Sequence, residues 1–263
     1  MDDWKTHPEW LVDQATLVLY MCRMYQNTCF HSKISWEAAQ GYLSRIPDFG
    51  ALAPELGRDF RRLLYHNQLS LALNTGNFEA ARNLIPEIEG WLSQVAAHLP
   101  ESMVLPFLHN FAVVEFVHGE FASANRMVNR ILNLGNPKAR VDIRDFAVVF
   151  RAILQYELGN EGLDEYLTRA GKRHFSKHSR EFEFELAVFK YLDKTLRVIS
   201  PEELKAPLEV LVGTLDRLSE HLPDTVPVLG LNEVRLWAKA KQRGVPLREV
   251  FLEAVLENME ALG

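Results

Sequence analysis

Cysteine is scarce in this sequence, and so are the features of exported or membrane proteins. Only Cys22 and Cys29 occur among 263 residues, so a disulfide framework is excluded and two buried apolar thiols are expected. No apolar run approaches the roughly 20 residues that a membrane-spanning helix needs. The start, Met1-Asp2-Asp3-Trp4, lacks the basic and apolar regions of a signal peptide. We therefore expect a soluble cytoplasmic protein.

An excess of basic residues is also missing, as are the common catalytic motifs. The net charge of −6 argues against a nucleic-acid-binding surface over the whole protein. The sequence contains no Gly-rich phosphate loop, no G-x-S-x-G elbow and no H-E-x-x-H pair. No specific feature therefore favours an enzyme, and we expect no cofactor.

Helical periodicity interrupted at regular intervals is what the sequence does contain. The breaks fall at Gly76, Gly119, Gly159, Ser200-Pro201 and Gly244, at intervals of 40 to 44 residues. A fixed period of this size is typical of a helical solenoid. The predicted helical hairpins pair 9–26 with 33–46, 54–74 with 78–98, 101–118 with 120–134, 142–158 with 161–174, 180–199 with 201–221, and 226–243 with 246–262.

Two local patterns refine the fifth hairpin. Residues 181–185 alternate Glu and Phe, which alone suggests a strand, but helical spacing resumes at Leu186 and no partner strand is evident. We interpret this stretch as one helix packed on two sides. Pro201 suits the first turn of the next helix, and Ser200 suits its N-cap.

The residues that follow two of the turn glycines resemble each other and a known repeat. The shared residues are Gly76, Phe78 and Ala81 in one copy and Gly119, Phe121 and Ala124 in the next. This pattern resembles the tetratricopeptide (TPR) repeat, which has a Gly between its helices, an aromatic two residues later and an Ala five residues later. The third copy departs from it, because Glu161 and Asp164 replace the aromatic and the Ala.

A second resemblance covers the segment from Phe146 to Leu192. It is similar to the C-terminal part of a group of bacterial TPR-like proteins that are generally longer than this chain, which favours a truncated member. The resemblance brings no known activity. It implies a right-handed α-solenoid of about six TPR-like hairpins, forming a single domain over residues 1–263.

Two His-Asn pairs are the first candidate binding residues. Each Asn lies nine residues before a turn Gly, where TPR proteins often place an Asn that binds the backbone of an extended peptide. A carboxamide suits this role because it both donates and accepts. The alternative is an Asn bonded to a neighbouring helix and a His on a solvated edge. The predicted peptide-binding residues are His66, Asn67, Ser70, Asn74, His109 and Asn110. Val149-Phe150 stands at the third position, so any Asn ladder has two rungs.

A basic cluster is the second candidate site. Its predicted patch residues are Arg169, Lys172, Arg173, Lys177 and Arg180. It could receive an acidic peptide, a phosphate or nucleic acid, but a solvated loop is favoured, since charge runs usually only solvate a surface. His174 and His178, four residues apart, could supply two metal ligands. No third ligand is evident, so we expect no metal.

The leading functional prediction is a protein- or peptide-binding scaffold that uses the concave face of the solenoid. The alternative is a regulatory module that senses a ligand or signal peptide, and a hydrolase with a His-based site is the least supported. The predicted partner is a protein or peptide, with no membrane and with nucleic acid disfavoured. A homodimer could form through an uncapped terminal hairpin, because solenoid ends need polar caps.

Overall fold

The computed structural model describes residues 54–176, 182–197, 200–221 and 228–261. Within these ranges the fold is all-helical, with ten α-helices and no β-strand. The helices are α1 Pro54–Asn74, α2 Phe78–Val95, α3 Glu101–Val117, α4 Phe121–Asn133, α5 Val141–Glu157, α6 Glu161–Phe175, α7 Glu183–Thr195, α8 Pro201–His221, α9 Leu231–Arg243 and α10 Leu247–Ala261. The predicted helices 9–26 and 33–46 lie outside the described residues, as do Cys22 and Cys29.

The helices predicted from periodicity are confirmed where the structure describes them. Their observed ends differ from the predicted ones by five residues at most. The all-helical fold class is therefore confirmed for this part of the chain. No helix in the described ranges is long and apolar enough to cross a membrane.

The repeated glycines form one kind of turn. At Gly119 the backbone φ is +75°, and the Gly119 and Glu120 N–H groups donate to Phe116 and Glu115 carbonyls, both at 2.9 Å. Gly159 and the residue after it repeat this pattern, with a φ of +68° at the glycine. This is the Schellman motif, in which the last carbonyls of a helix accept hydrogen bonds. It requires a left-handed backbone conformation that only Gly adopts at little energetic cost.

The alternating stretch is helical from Glu183 onward, with Phe182 as the N-cap residue, and Glu181 lies outside the described residues. The Phe182 ring contacts Phe175 of α6 at 5.1 Å between centroids, and the Phe184 ring contacts Phe146 of α5 at 6.5 Å. Two neighbouring helices therefore receive the two phenylalanines, which explains the period of two. The predicted N-cap is also confirmed, since Ser200 Oγ accepts a hydrogen bond from the Glu203 N–H at 3.4 Å.

The described residues fall into two compact units. The first contains residues 54–98 and 254–261, and the second contains the described part of 99–253. In the first unit α1 packs on α2, where the Tyr65 and Trp91 rings lie 5.5 Å apart. The single domain over residues 1–263 stays a prediction.

The second unit is built of consecutive helices that pack in sequence order. From α3 to α9 each helix packs on the next, and α5 also packs directly on α3 and on α7. The first helices of two pairs of successive hairpins are thus neighbours, whereas the right-handed solenoid of about six hairpins stays a prediction. Aromatic side chains fill the interior, as expected from their spacing; those buried almost completely include Phe107, Phe111, Phe116, Phe146, Phe150 and Trp237.

Candidate functional site

The first His-Asn pair lies on α1, in the first unit. Asn67 is only 8% exposed, so most of its carboxamide lies within the packing of that unit. His66 and Ser70 are half-buried, and Asn74 is exposed at the end of the helix. Of the four predicted peptide-binding residues in this helix, Asn74 is thus the most accessible.

The second His-Asn pair lies on α3, in the second unit. His109 is buried, with its ring edge-on to Phe146 at 5.6 Å, whereas Asn110 is half-buried. Burial lowers the pKa of His109 to about 4, and the nearby Arg140 charge contributes to this shift. The imidazole is therefore neutral at physiological pH and packs as part of the core. A groove shared by Asn67 and Asn110 stays a prediction.

The third copy of the pair position lies in the core. Val149 and Phe150 are both buried, and the Phe150 ring lies 4.9 Å from Phe116 and 5.0 Å from Phe146. Apolar residues at this position therefore join α3 to α5.

The basic cluster on α6 is largely paired with carboxylates. Lys172 lies 3.1 Å from Asp193 of α7, and Arg169 forms an ion pair with Glu165. Arg173 is exposed at the end of the helix, where a cation suits the helix dipole. Lys177 and Arg180 lie outside the described residues. These ion pairs lie within α6 and between α6 and α7, and the choice between a ligand-binding patch and a solvated loop stays a prediction.

Of the two histidines that could bind a metal, only His174 lies in the described part of the chain. His174 Nε2 lies 3.4 Å from Asp145 Oδ1 of α5, and His178 lies outside the described residues. Among the described residues, no three His, Cys, Asp or Glu side chains converge as metal ligands would.

An accessible surface on α5 and α7 was not singled out by the sequence. Ring contacts fix the register of these helices: Phe146 meets Phe184, and Tyr156 meets Tyr191 at 6.2 Å. Between these anchors the accessible side chains recur at helical spacing. We call them the α5–α7 face; its members are Val148, Arg151, Leu186, Ala187 and Lys190.

Arg151 is the unusual member of the α5–α7 face. Its side chain is half-buried, and its Nε atom is shielded from solvent without a hydrogen-bond partner among the described residues. Lys190 and the next cation along α7, Lys194, are exposed. The face thus presents positive charge from Arg151 and Lys190, neither of which forms an ion pair with a described residue. A single Arg within a helical pattern gives no sequence signal of this kind.

Glu185 is a buried carboxyl in the Glu-Phe alternation, and the sequence pattern did not predict its burial. It lies on α7 and is 8% exposed. Burial raises its pKa to about 7, and the negative charge of Asp145 adds to the shift.

Replacing Glu185 by Gln should remove a pH-dependent loss of stability. Because the folded-state pKa of about 7 lies above the ordinary value of 4.5, the folded protein binds this proton more tightly than the unfolded chain. The stabilising contribution is complete below pH 4.5 and is lost as the pH rises to about 7. We expect Glu185→Gln to be more stable than the parent at pH 8, and to differ less at pH 4.5.

Urea unfolding at both pH values measures this effect. The matched control is Glu209→Gln, an exposed glutamate of α8, which should leave the difference between the two pH values unchanged. Equal pH dependence in the parent and in Glu185→Gln would show that the buried carboxyl does not govern it.

Comparison with known proteins adds no relative. No protein-family model matches this chain, and neither a curated protein nor a solved structure is similar to it. The resemblance to TPR proteins therefore stays a sequence-based prediction, and no ligand or activity is carried over to this chain from another protein.

Proposed function

We propose that this chain is a protein- or peptide-binding scaffold whose partner lies on the α5–α7 face. The observation that carries the proposal is the half-buried Arg151 side chain, whose Nε atom has no hydrogen-bond partner among the described residues. Buried polar groups are ordinarily hydrogen-bonded, and an exception calls for an explanation. A carboxylate of a bound partner supplies one, since it can accept two parallel hydrogen bonds from a guanidinium.

The arrangement of helices supports an extended partner. In stacked hairpins the first helices lie side by side and form a continuous surface, which repeat proteins use for binding. Here α5 packs directly on α7, and each contributes one stripe of accessible side chains. A peptide crossing the α5–α7 face would meet residues from two successive hairpins.

The chemistry of the face defines the partner. Arg151 and Lys190 are cationic, whereas Val148, Leu186 and Ala187 are apolar. Charged groups set specificity and orientation, and apolar contacts supply area. The complementary partner is a segment that carries Asp or Glu side chains beside one or two apolar residues.

Selection from a phage-displayed library of random 12-residue peptides tests this function. Peptides enriched on the parent protein should be rich in Asp and Glu. Each enriched peptide should then bind Arg151→Gln about tenfold more weakly in fluorescence anisotropy, because a hydrogen bond to a charged group is worth about 1.5–3 kcal/mol.

Arg173→Gln is the matched control, since it removes an exposed cation of α6 outside the face. It should change the affinity less than the Arg151 substitution does. The proposal fails if no peptide is enriched, if the enriched peptides lack acidic residues, or if both substitutions weaken binding equally.

A further inference from the structure

The third copy of the repeat, which turns at Gly159, has a carboxyl where the copies that turn at Gly76 and Gly119 have a buried alanine. Ala81 and Ala124 lie five residues after their turn glycines, and both are fully buried. Asp164 holds the same position after Gly159 and is 5% exposed. A methyl group fits the close contact of two helices, whereas an ionised carboxyl there loses most of its hydration. The exchange of Ala for Asp therefore costs stability unless a bound partner compensates the carboxylate for its lost hydration.

A cleft lies beside this carboxyl. Its volume is about 730 Å³, and it lies within the second unit, where the α5–α6 turn meets α6 and the end of α7. The residues that line it include Tyr156, Asp164, Glu165, Arg169, Asp193 and Arg197.

The aromatic residue three before the turn glycine has different neighbours in this copy. In the copy that turns at Gly119, Phe116 packs at 5.8 Å on Phe121, which lies two residues after the glycine. Tyr156 stands at the position of Phe116 in the copy that turns at Gly159, where the residue two after the glycine is Glu161. Tyr156 instead meets Tyr191 and Trp237, both at 6.2 Å, and lines the cleft.

Asp164 is the carboxyl of this cleft that has no cation. Glu165 pairs with Arg169, and Asp193 lies 3.1 Å from Lys172 and 3.3 Å from Arg197. Asp164 Oδ1 accepts only a long hydrogen bond, 3.4 Å, from the Thr168 hydroxyl among the described residues. Burial raises its pKa to about 6, so at neutral pH it is mainly ionised and lacks a counter-charge.

We propose that the cleft binds a cationic nitrogen group, an alkylammonium or a guanidinium, which pairs with the Asp164 carboxylate. The ligand's cation would supply the hydrogen-bond donors and the charge that the described residues do not give to Asp164. The Tyr156 ring already lies 4.9 Å below Lys241 Nζ, so the carboxylate, rather than the ring, provides the attraction. The cation could belong to a free amine or to a Lys or Arg side chain of a peptide.

Isothermal titration calorimetry with two probes tests the proposal and separates these sources. Agmatine represents the free amine, and the peptide Gly-Lys-Gly amide represents the side chain. We expect at least one probe to bind the parent protein and to lose about tenfold or more in affinity for Asp164→Asn. Binding of agmatine alone indicates a small amine, and binding of the peptide alone indicates a basic side chain.

Two further variants keep the result interpretable. Asp164→Ala restores the residue of the other hairpins, so it should fold, raise Tm and lose binding. Glu249→Gln removes an exposed carboxyl of α10 and should leave the affinity unchanged. The proposal is overturned if neither probe binds at millimolar concentration, or if both Asp164 variants bind as the parent does.

Discussion

Gly171→Ala should destabilise the protein by about 3 kcal/mol, although Ala is the better helix former. Gly171 lies within α6, and a Cβ atom there would meet the Phe189 ring at 2.1, 2.4 and 2.6 Å. The ring has little room to move, because Phe189 is fully buried on α7 and stacks on Phe175 at 5.8 Å. Urea unfolding followed by circular dichroism measures the effect.

Gly213→Ala provides the matched control. Gly213 also lies within a helix, α8, but nothing lies within 4 Å of a Cβ built there. This substitution should stabilise the protein by about 0.5–1 kcal/mol, the usual advantage of Ala over Gly in a helix. If Gly171→Ala behaved in the same way, α6 and α7 would not approach as closely as the structure shows.

A second substitution locates the clash. In the Gly171→Ala, Phe189→Leu double variant the smaller side chain leaves room for the new methyl group. The double variant should therefore lose less stability than the sum of the two single variants. Additive losses would mean that the two residues do not compete for the same space.

The helices could be predicted from the sequence because their boundaries depend on local chemistry. A glycine at φ +75° closes a helix because its N–H reaches the carbonyl three residues back and the N–H of the next residue reaches the carbonyl five residues before that residue, and this requirement is visible in the repeat at Gly119. The N-cap at Ser200 and the two-sided packing of Phe182 and Phe184 also follow from neighbouring residues. Local patterns of this kind need no knowledge of the distant chain.

The chemistry of individual side chains was harder to predict because it depends on distant residues. His109 was predicted to bind a peptide, with a solvated edge as the alternative, but it is buried and its ring contacts Phe146 of another hairpin. Asp164 was visible as a departure from the repeat, but its burial depends on how α6 packs. Arg151 belongs to no sequence pattern, because the absence of a hydrogen-bond partner for its Nε atom among the described residues depends on how the surrounding helices pack.

Arg144→Met should be the most destabilising substitution of a charged residue considered for this protein, with an expected loss of about 3–5 kcal/mol. Arg144 lies in α5, and its side chain is 12% exposed. Its guanidinium donates to the carbonyls of Ile131 and Ala139 at 3.1 Å, to that of Leu134 at 3.2 Å, and to Glu101 at 3.2 Å.

The importance of Arg144 comes from the loop that it closes between α4 and α5. The Glu101 carboxylate also accepts the Gly135 and Asn136 N–H groups, both at 2.9 Å. The ion pair thus provides hydrogen bonds to backbone N–H and C=O groups at the end of α4 and in the loop after it. Removing the guanidinium leaves three carbonyls and a partly buried carboxylate without their hydrogen bonds to Arg144. Each buried unsatisfied group costs about 1–3 kcal/mol.

Arg144→Lys tests whether shape as well as charge is required. A lysine keeps the positive charge but has one nitrogen instead of a planar fork, so it cannot reach all four acceptors. We expect it to recover only part of the stability lost in Arg144→Met. Arg217→Met, which removes an exposed ion pair with Glu183, should change the free energy of unfolding by about 0.5 kcal/mol or less. Equal effects at Arg144 and Arg217 would mean that the loop closes without the guanidinium.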